Sequence, residues 1–253
     1  SSSSRGLGDV YKRQFFLVSG FPLAALFLIH GGIGLEVVPT PKWGGFMLNL
    51  IMAAVAIIYS LPLGILLALG RRSDYPIISR FCVLFIEFWR GVPLITVLVM
   101  ASFMLPFFMP DGFNFNELLR ALIGLTLFSS AYMAEVVRGG LQAMPRGQTE
   151  AARAMGLTYW QSMRLIILPQ ALKITIPAIV NTFIGLFKDT SLVIVIGLFD
   201  LLQVAKSSVT DTNWLGLEHE TYIFVAIVFF VSCFAMSRYS LYLERKLDTN
   251  HRE

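Results

Sequence analysis

The sequence predicts an all-α integral membrane protein, and three observations carry that prediction. Charge is scarce: Asp, Glu, Lys and Arg make up 14% of the 253 residues, where soluble domains carry about 25%. Apolar runs long enough to cross a bilayer recur along the chain, within a composition that is 56% apolar and has a mean hydropathy of +0.69. The cations, finally, are concentrated in alternate connections between those runs. No sizeable soluble domain fits between them. The net charge of +4 therefore speaks to topology rather than to nucleic-acid binding.

The elements follow in order. Residues 1–14, SSSSRGLGDVYKRQ, combine a serine run with a polar, glycine-containing stretch and read as a non-native leader, set aside from the fold argument. Phe15 to His30 is apolar but only 16 residues long, with Gly20 and Pro22 inside it. It reads as the remnant of a truncated N-terminal helix or as an interfacial segment, and with the leader set aside the expected gene product is longer at that end. Residues 15–45 comprise this remnant and a turn-rich loop ending near Trp43, a residue suited to a membrane interface.

The transmembrane domain is expected over residues 46–243. Phe46 to Gly70 is a first span, interrupted by Asn49 and Pro62 and ended by Arg71-Arg72-Ser73-Asp74. Ile77 to Trp89 is a helix outside the count of spans; Glu87 and Arg90 lie one turn apart on it, in reach of a pair. Arg90-Gly91-Val92-Pro93 breaks that helix, because proline cannot donate within a continuing one. Spans at Val92–Met109 and Leu118–Val137 follow, the second ending at Arg138-Gly139-Gly140. After a polar loop at 139–173 come Ile174–Phe199, a wetter stretch from Asp200 to Glu220, a last span from Tyr222 to Tyr242, and a tail at 244–253.

Orientation follows from the cations. With the 139–173 loop on one side and the spans alternating, that side holds thirteen Lys and Arg residues, from Arg71 to Arg252. The other side holds three, Lys42, Arg120 and Lys206. Such a bias places the loop and the C-terminus in the cytoplasm. Acidic residues on the opposite side, Asp200 among them, serve to keep loops solvated or to steer a basic partner.

Within the loop, Glu150 to Pro169 reads EAARAMGLTYWQSMRLIILP. Thr149 is placed to cap a short helix from Glu150 to Met155, with the Glu150 carboxylate in its first turn. Ala151 and Ala152 keep that turn narrow, and Gly156 suits a left-handed stop. Thr158-x-x-Gln161 is a capping box opening a second helix, which carries Met163, Leu165 and Ile166 before Pro169. A polar helical hairpin between apolar spans must face water, where a partner can grip it.

The spacing of Glu150-Ala151-Ala152, Gly156, Ile166, Leu168 and Pro169 resembles the EAA loop of ABC-importer permeases. The stretches FIEFWRGVPL (85–94), AYMAEVVRGG (131–140) and KDTSL (188–192) resemble the polar amino-acid branch, and within it the M-type permease of general L-amino-acid importers. The resemblance covers residues 43–246. It implies a five-helix type-I permease core and docking of an ATPase on the seven residues just named. It also implies an assembly with two ATPase subunits, a second permease subunit that is a paralogue, and a periplasmic amino-acid-binding protein in a bacterial inner membrane.

Lys188 and Asp189 fall near the middle of their span, where a charge costs about 2.5–3.5 kcal/mol. They must face protein or water, and Lys188-Asp189-Thr190-Ser191 is expected to line the translocation path near its gate, Gly185 and Gly197 permitting a local break. Glu135 pairs with Arg138 three residues on, or holds the ammonium of an amino acid in a semi-dry cavity.

No G-x-x-x-x-G-K-[ST] loop occurs in the chain, so ATP and Mg are expected on a separate subunit, with no cofactor or metal on this one. Cys82 and Cys233 lack metal-ligand spacing, and no nucleophile or His/Asp/Glu cluster at helical spacing suggests an intramembrane enzyme. The alternative function is an ATP-independent secondary amino-acid transporter or channel, which leaves the hairpin without a role.

Overall fold

The computed structural model describes residues 36, 38, 42–110 and 115–247. The expectations for the leader at 1–14 and for the apolar run at 15–30 lie outside the described residues. Apart from one isolated bridge between Gly45 and Asp200, the described secondary structure is helical.

Helix α1 spans Gly45–Arg71, 27 residues. At 1.5 Å per residue that is about 40 Å, more than a hydrocarbon core of about 30 Å requires. It begins at Gly45, whose positive φ of 63° suits glycine and whose N–H donates to the Phe199 carbonyl at 2.7 Å. The charged Arg71-Arg72 pair closes it, as the sequence suggests.

Helix α2 (Pro76–Gly91) opens on a proline at its first position, where a missing N–H costs nothing. Val92 is extended and Pro93 caps α3 (Leu94–Phe103). Here the expected Val92–Met109 span is corrected. The helix is only 10 residues long, gives way to a short 3-10 turn at Leu105–Phe108 around Pro106, and bends 103° from α2. Ten residues cover about 15 Å, half a bilayer. A fifth crossing therefore needs α2 and α3 together, and the Ile77–Trp89 helix belongs to it.

Helix α4 (Glu117–Ala143) starts on Asn116, whose side chain accepts from the Leu118 N–H at 3.2 Å. It does not stop at Gly139-Gly140. Those glycines lie inside it, and a β-carbon at Gly140 would sit 2.7 Å from the Ala171 carbonyl oxygen. Of the pair that reads as a terminator, a β-carbon at Gly139 would meet nothing within 4 Å, while Gly140 is a close-packing notch. Gly64 does the same for α1, where a β-carbon would meet Met133 at 2.7 Å.

After a hairpin made by α5 (Arg146–Ala154) and α6 (Tyr159–Ser162), five residues of π-helix at Met163–Ile167 lead into α7 (Leu168–Asp189). Pro169 was expected to end the second hairpin helix. The helix instead runs through it, because the π turn, closed by Leu168 N–H to Met163 O, shifts the hydrogen-bond register just before the proline. From Tyr159 to Ile196 the chain is one apolar rod of 38 residues. Its break falls in the 3-10 stretch Thr190–Ile196 and at Gly197 (φ 84°), while Gly185 stays helical.

Short helix α8 (Leu201–Ser208) and long α9 (Glu218–Leu247) complete the chain. Four helices are long and apolar enough to span a membrane, and the bent α2–α3 pair counts as a fifth. Of the most apolar stretch of α4, 61% is buried, against 6% for α9. The core thus wraps α4, and α9 shows Phe224, Phe230 and Phe234 outward, a surface only lipid or another subunit would tolerate. Two clusters make up that core. One joins α1, α3 and α4 to Val193 and Ile196; the other, near the hairpin, joins Ala68, Ile86, Val137 and Leu141 to Met163, Ile167 and Ala171.

Candidate functional site

Four polar regions stand out from the apolar bundle. The first is the hairpin. Its first helix starts one turn earlier than expected, after Pro145, so Thr149 lies inside α5 instead of capping it and Glu150 sits mid-helix. The turn behaves as predicted: Gly156 has φ 75° and its N–H donates to Arg153 O at 2.9 Å. The capping box forms in both directions, Thr158 N–H to Gln161 Oε1 at 2.9 Å and Gln161 N–H to Thr158 Oγ1 at 3.4 Å.

Of the seven predicted docking residues, Glu150, Ala151, Gly156 and Pro169 are exposed, Ile166 and Leu168 are half-buried, and Ala152 is buried. Beside them, Met155, Tyr159, Trp160 and Leu165 stand 80%, 53%, 68% and 60% exposed. Bulky apolar side chains on a polar elbow make a sticky, self-supporting surface. The spacing of the loop motif does not include them, and in an apolar chain such residues look like ordinary filler.

The second region is a charge cluster at the hairpin end of the bundle. Glu135, 15% exposed, accepts from Arg71 at 2.7 Å and from Arg138 Nε at 2.9 Å, with Arg90 at 3.8 Å. The expected Glu135–Arg138 pair is present. Glu87 and Arg90 do not pair with each other: Glu87 accepts from Arg71 at 3.3 Å instead, since the fold brings α1 beside α2. With three guanidinium groups around it, the Glu135 carboxylate is saturated, and Arg90 lies over the Tyr132 ring, 5.8 Å from its centroid.

The third region is a groove of about 290 Å³ between α4 and α7, lined by Phe128, Ser129, Tyr132, Thr182, Gly185, Leu186 and Asp189. Phe128 and Tyr132 lie 4.9 Å apart between ring centroids. Ser129 and Thr182 hydroxyls back-bond to the Leu125 and Ala178 carbonyls. Among the described residues none forms a hydrogen bond or an ion pair with the Asp189 carboxylate, which is half-buried and faces this groove. Lys188, its neighbour, is exposed and forms no ion pair with it within 4.0 Å, though its charge acts on the carboxylate.

The fourth region gathers residues that the sequence did not connect. Thr190 and Asp200 are fully buried with Asn49 at the end of the bundle opposite the hairpin. The Asn49 amide donates to Thr190 Oγ1 at 2.9 Å and to Asp200 Oδ2 at 3.3 Å, and its carbonyl accepts from the Leu201 N–H at 3.0 Å. Asp200 caps α8, accepting from the Leu202 and Gln203 N–H groups. It is a structural cap and not a solvated loop residue as expected. Of the four residues expected at the gate, Asp189 reaches the groove, Thr190 belongs to this knot, Ser191 back-bonds to Lys188 O at 2.9 Å, and Lys188 lies apart. The one hint in the sequence was Asn49, a lone amide in a 25-residue apolar run.

An apolar bundle of four spanning helices, five if the bent α2–α3 pair is one span, with a polar elbow outside it, is the form of a polytopic membrane protein. The chain belongs to the family described as binding-protein-dependent transport system inner membrane component, whose pattern matches residues 60–249. It is 57% identical over 230 residues, 90% of this chain, to the inner membrane amino-acid ABC transporter permease protein YhdY of Escherichia coli (strain K12). It is 54% identical over 250 residues, 98% of this chain, to the glutamate/glutamine/aspartate/asparagine transport system permease protein BztC of Rhodobacter capsulatus. The chain spans 63% and 58% of the length of those two relatives. Among solved structures, an amino acid ABC transporter crystallised with histidines is 33% identical, with a TM-score of 0.71 over 80% of this chain and 92% of that one. The MetNI methionine ABC transporter in an inward-facing conformation, 24% identical with a TM-score of 0.59 over 78% of this chain and 91% of that one, shares the fold.

Proposed function

We propose that this chain is the membrane-spanning subunit of an ATP-driven amino-acid importer, a transport component and not an enzyme. The observation that carries the reading is the hairpin: an elbow with its own caps, holding Met155, Tyr159 and Trp160 outward beside Glu150 and Gly156. An ATPase subunit docks there, and closure of the ATPase dimer moves α5 and α6 against the bundle. ATP and Mg belong to that partner. A periplasmic amino-acid-binding protein delivers substrate to the opposite side, and a second permease subunit, a paralogue, completes the path. The hairpin and C-terminus face the cytoplasm, in keeping with the cation bias.

Substrate passes along the α4–α7 groove. Asp189, with no partner of its own, meets the ammonium, with Phe128 and Tyr132 as aromatic walls. Glu135 is less suited to that task because its three arginines repel a cation. The related BztC is named for transport of acidic and amide amino acids, which fits a ligand carrying one ammonium.

Gly156→Trp and Glu150→Lys test the docking. Each should insert normally in the membrane yet lose at least about ten-fold in uptake by reconstituted vesicles, with ATP hydrolysis no longer stimulated by substrate-loaded binding protein. Uptake and stimulation unchanged in both variants would remove the hairpin as the coupling element.

A further inference from the structure

Beneath the hairpin lies a crevice of about 450 Å³, separate from the translocation groove and sharing only Tyr159 with the docking residues named above. Three guanidinium groups line it, Arg72 from the end of α1 and Arg146 and Arg153 from α5, and no acidic residue does. Arg146 stands four residues before Glu150, at the spacing that favours a helix pair, yet no ion pair within 4.0 Å forms, nor does one at Arg72 or Arg153 among the described residues. Three cations thus converge on one space without a counter-charge.

A second observation is independent of charge. Ser162, 5% exposed, lines the same crevice, and its Oγ is buried with no hydrogen-bond partner. A buried hydroxyl left unpaired is uncommon because its desolvation is not repaid. The Tyr159, Thr149 and Gln142 side chains add further polar groups at the wall, while Leu141, Met163 and Ile167 make the inner side apolar.

We infer that this crevice binds the phosphate of an anionic phospholipid headgroup. Guanidinium forks match phosphate oxygens, and the Ser162 hydroxyl supplies a donor. The apolar wall accepts the glycerol end, and the volume exceeds what a bare phosphate needs. The crevice also lies at the end of the spanning helices, where headgroups stand. A lipid seated there wedges the hairpin against α1 and α4, so headgroup composition sets how rigidly the elbow is held. This inference does not depend on the importer reading, since binding is measured without transport.

The test uses the full chain, extracted with whatever subunits accompany it and incubated with defined lipid. Native mass spectrometry counts the phosphatidylglycerol and phosphatidylcholine molecules retained. Wild type should retain phosphatidylglycerol in preference to phosphatidylcholine. The Arg146→Gln, Arg153→Gln double variant should lose at least about five-fold of that retention, and Ser162→Ala, which keeps all three charges and guards against misfolding of the first variant, about two-fold. Displacement of the lipid by millimolar inorganic phosphate would confirm that the phosphate is what the site holds. Displacement by phosphate with no preference for phosphatidylglycerol would overturn the lipid in favour of free phosphate. Equal retention of the two lipids by all proteins, or loss of retention only when an associated subunit is stripped away, would overturn the proposal, the latter pointing to an acidic protein partner.

Discussion

Asp189 and Asp200 stand eleven positions apart in the chain, at opposite ends of one 3-10 stretch, and the fold uses them in opposite ways. Asp200 is fully buried and accepts three hydrogen bonds, from Asn49, Leu202 and Gln203. Asp189 is half-buried, faces a groove, and accepts none among the described residues. A carboxylate whose lone pairs are filled by backbone N–H groups is part of the architecture. One held at membrane depth without a hydrogen-bond partner adds little to the fold and is free for the role proposed for it above. Glu135 falls between the two: its partners are partly exposed arginine side chains on three helices, not the backbone N–H groups of a cap.

The comparison is sharpened by removing each carboxylate in turn. Asp200→Ala deletes a helix cap and leaves the buried Asn49 amide short of an acceptor, a loss of about 2–4 kcal/mol. It should appear as the largest drop in the thermal midpoint of the detergent-purified protein. A midpoint unchanged from wild type would break the claim that this knot fastens α1 to α8.

Glu135→Gln leaves three guanidinium groups facing one another and should cost about 1–3 kcal/mol. Arg90→Gln, which removes the 3.8 Å contact and the placement over the Tyr132 ring, should stay within about 1 kcal/mol. The same unfolding measurement ranks the two, and equal losses would show that Arg90 holds the cluster after all.

The smallest effect on stability belongs to Asp189→Asn, within about 0.5 kcal/mol of wild type because no described hydrogen bond is lost. Its uptake in reconstituted vesicles should nevertheless fall by at least ten-fold. A variant as unstable as the Asp200 one would mean that Asp189 is structural and that the two aspartates do not differ in kind.

The sequence made much of this legible. Helix limits at Arg71 and Thr158 follow local rules of charge and capping, and the structure places them where those rules do. Gly140 and Pro169 look like stops, but a residue that breaks an isolated helix is tolerated, or used, when a neighbouring helix packs against it, as at Gly140, or a π turn shifts the register, as before Pro169. Conversely, Val92-Pro93 was seen as a break, yet the span after it was drawn too long. Its apolar composition continues past Pro106, where the helix does not.

By itself, then, the order of residues determined that this is a helical membrane protein, where its elbow lies, how that elbow turns, and which polar residues would be costly in lipid. All of these depend on groups within a few residues of one another or on hydrophobicity summed along a segment. Only the tertiary structure decided which costly residue is partnered. Asn49 meets Thr190 and Asp200 across 141 and 151 positions, and Arg71 meets Glu135 across 64. Such partners are chosen by how helices stack, a property that no local spacing encodes. The unpaired Asp189 and the unpaired arginines under the hairpin stand out only once every other polar side chain has been placed.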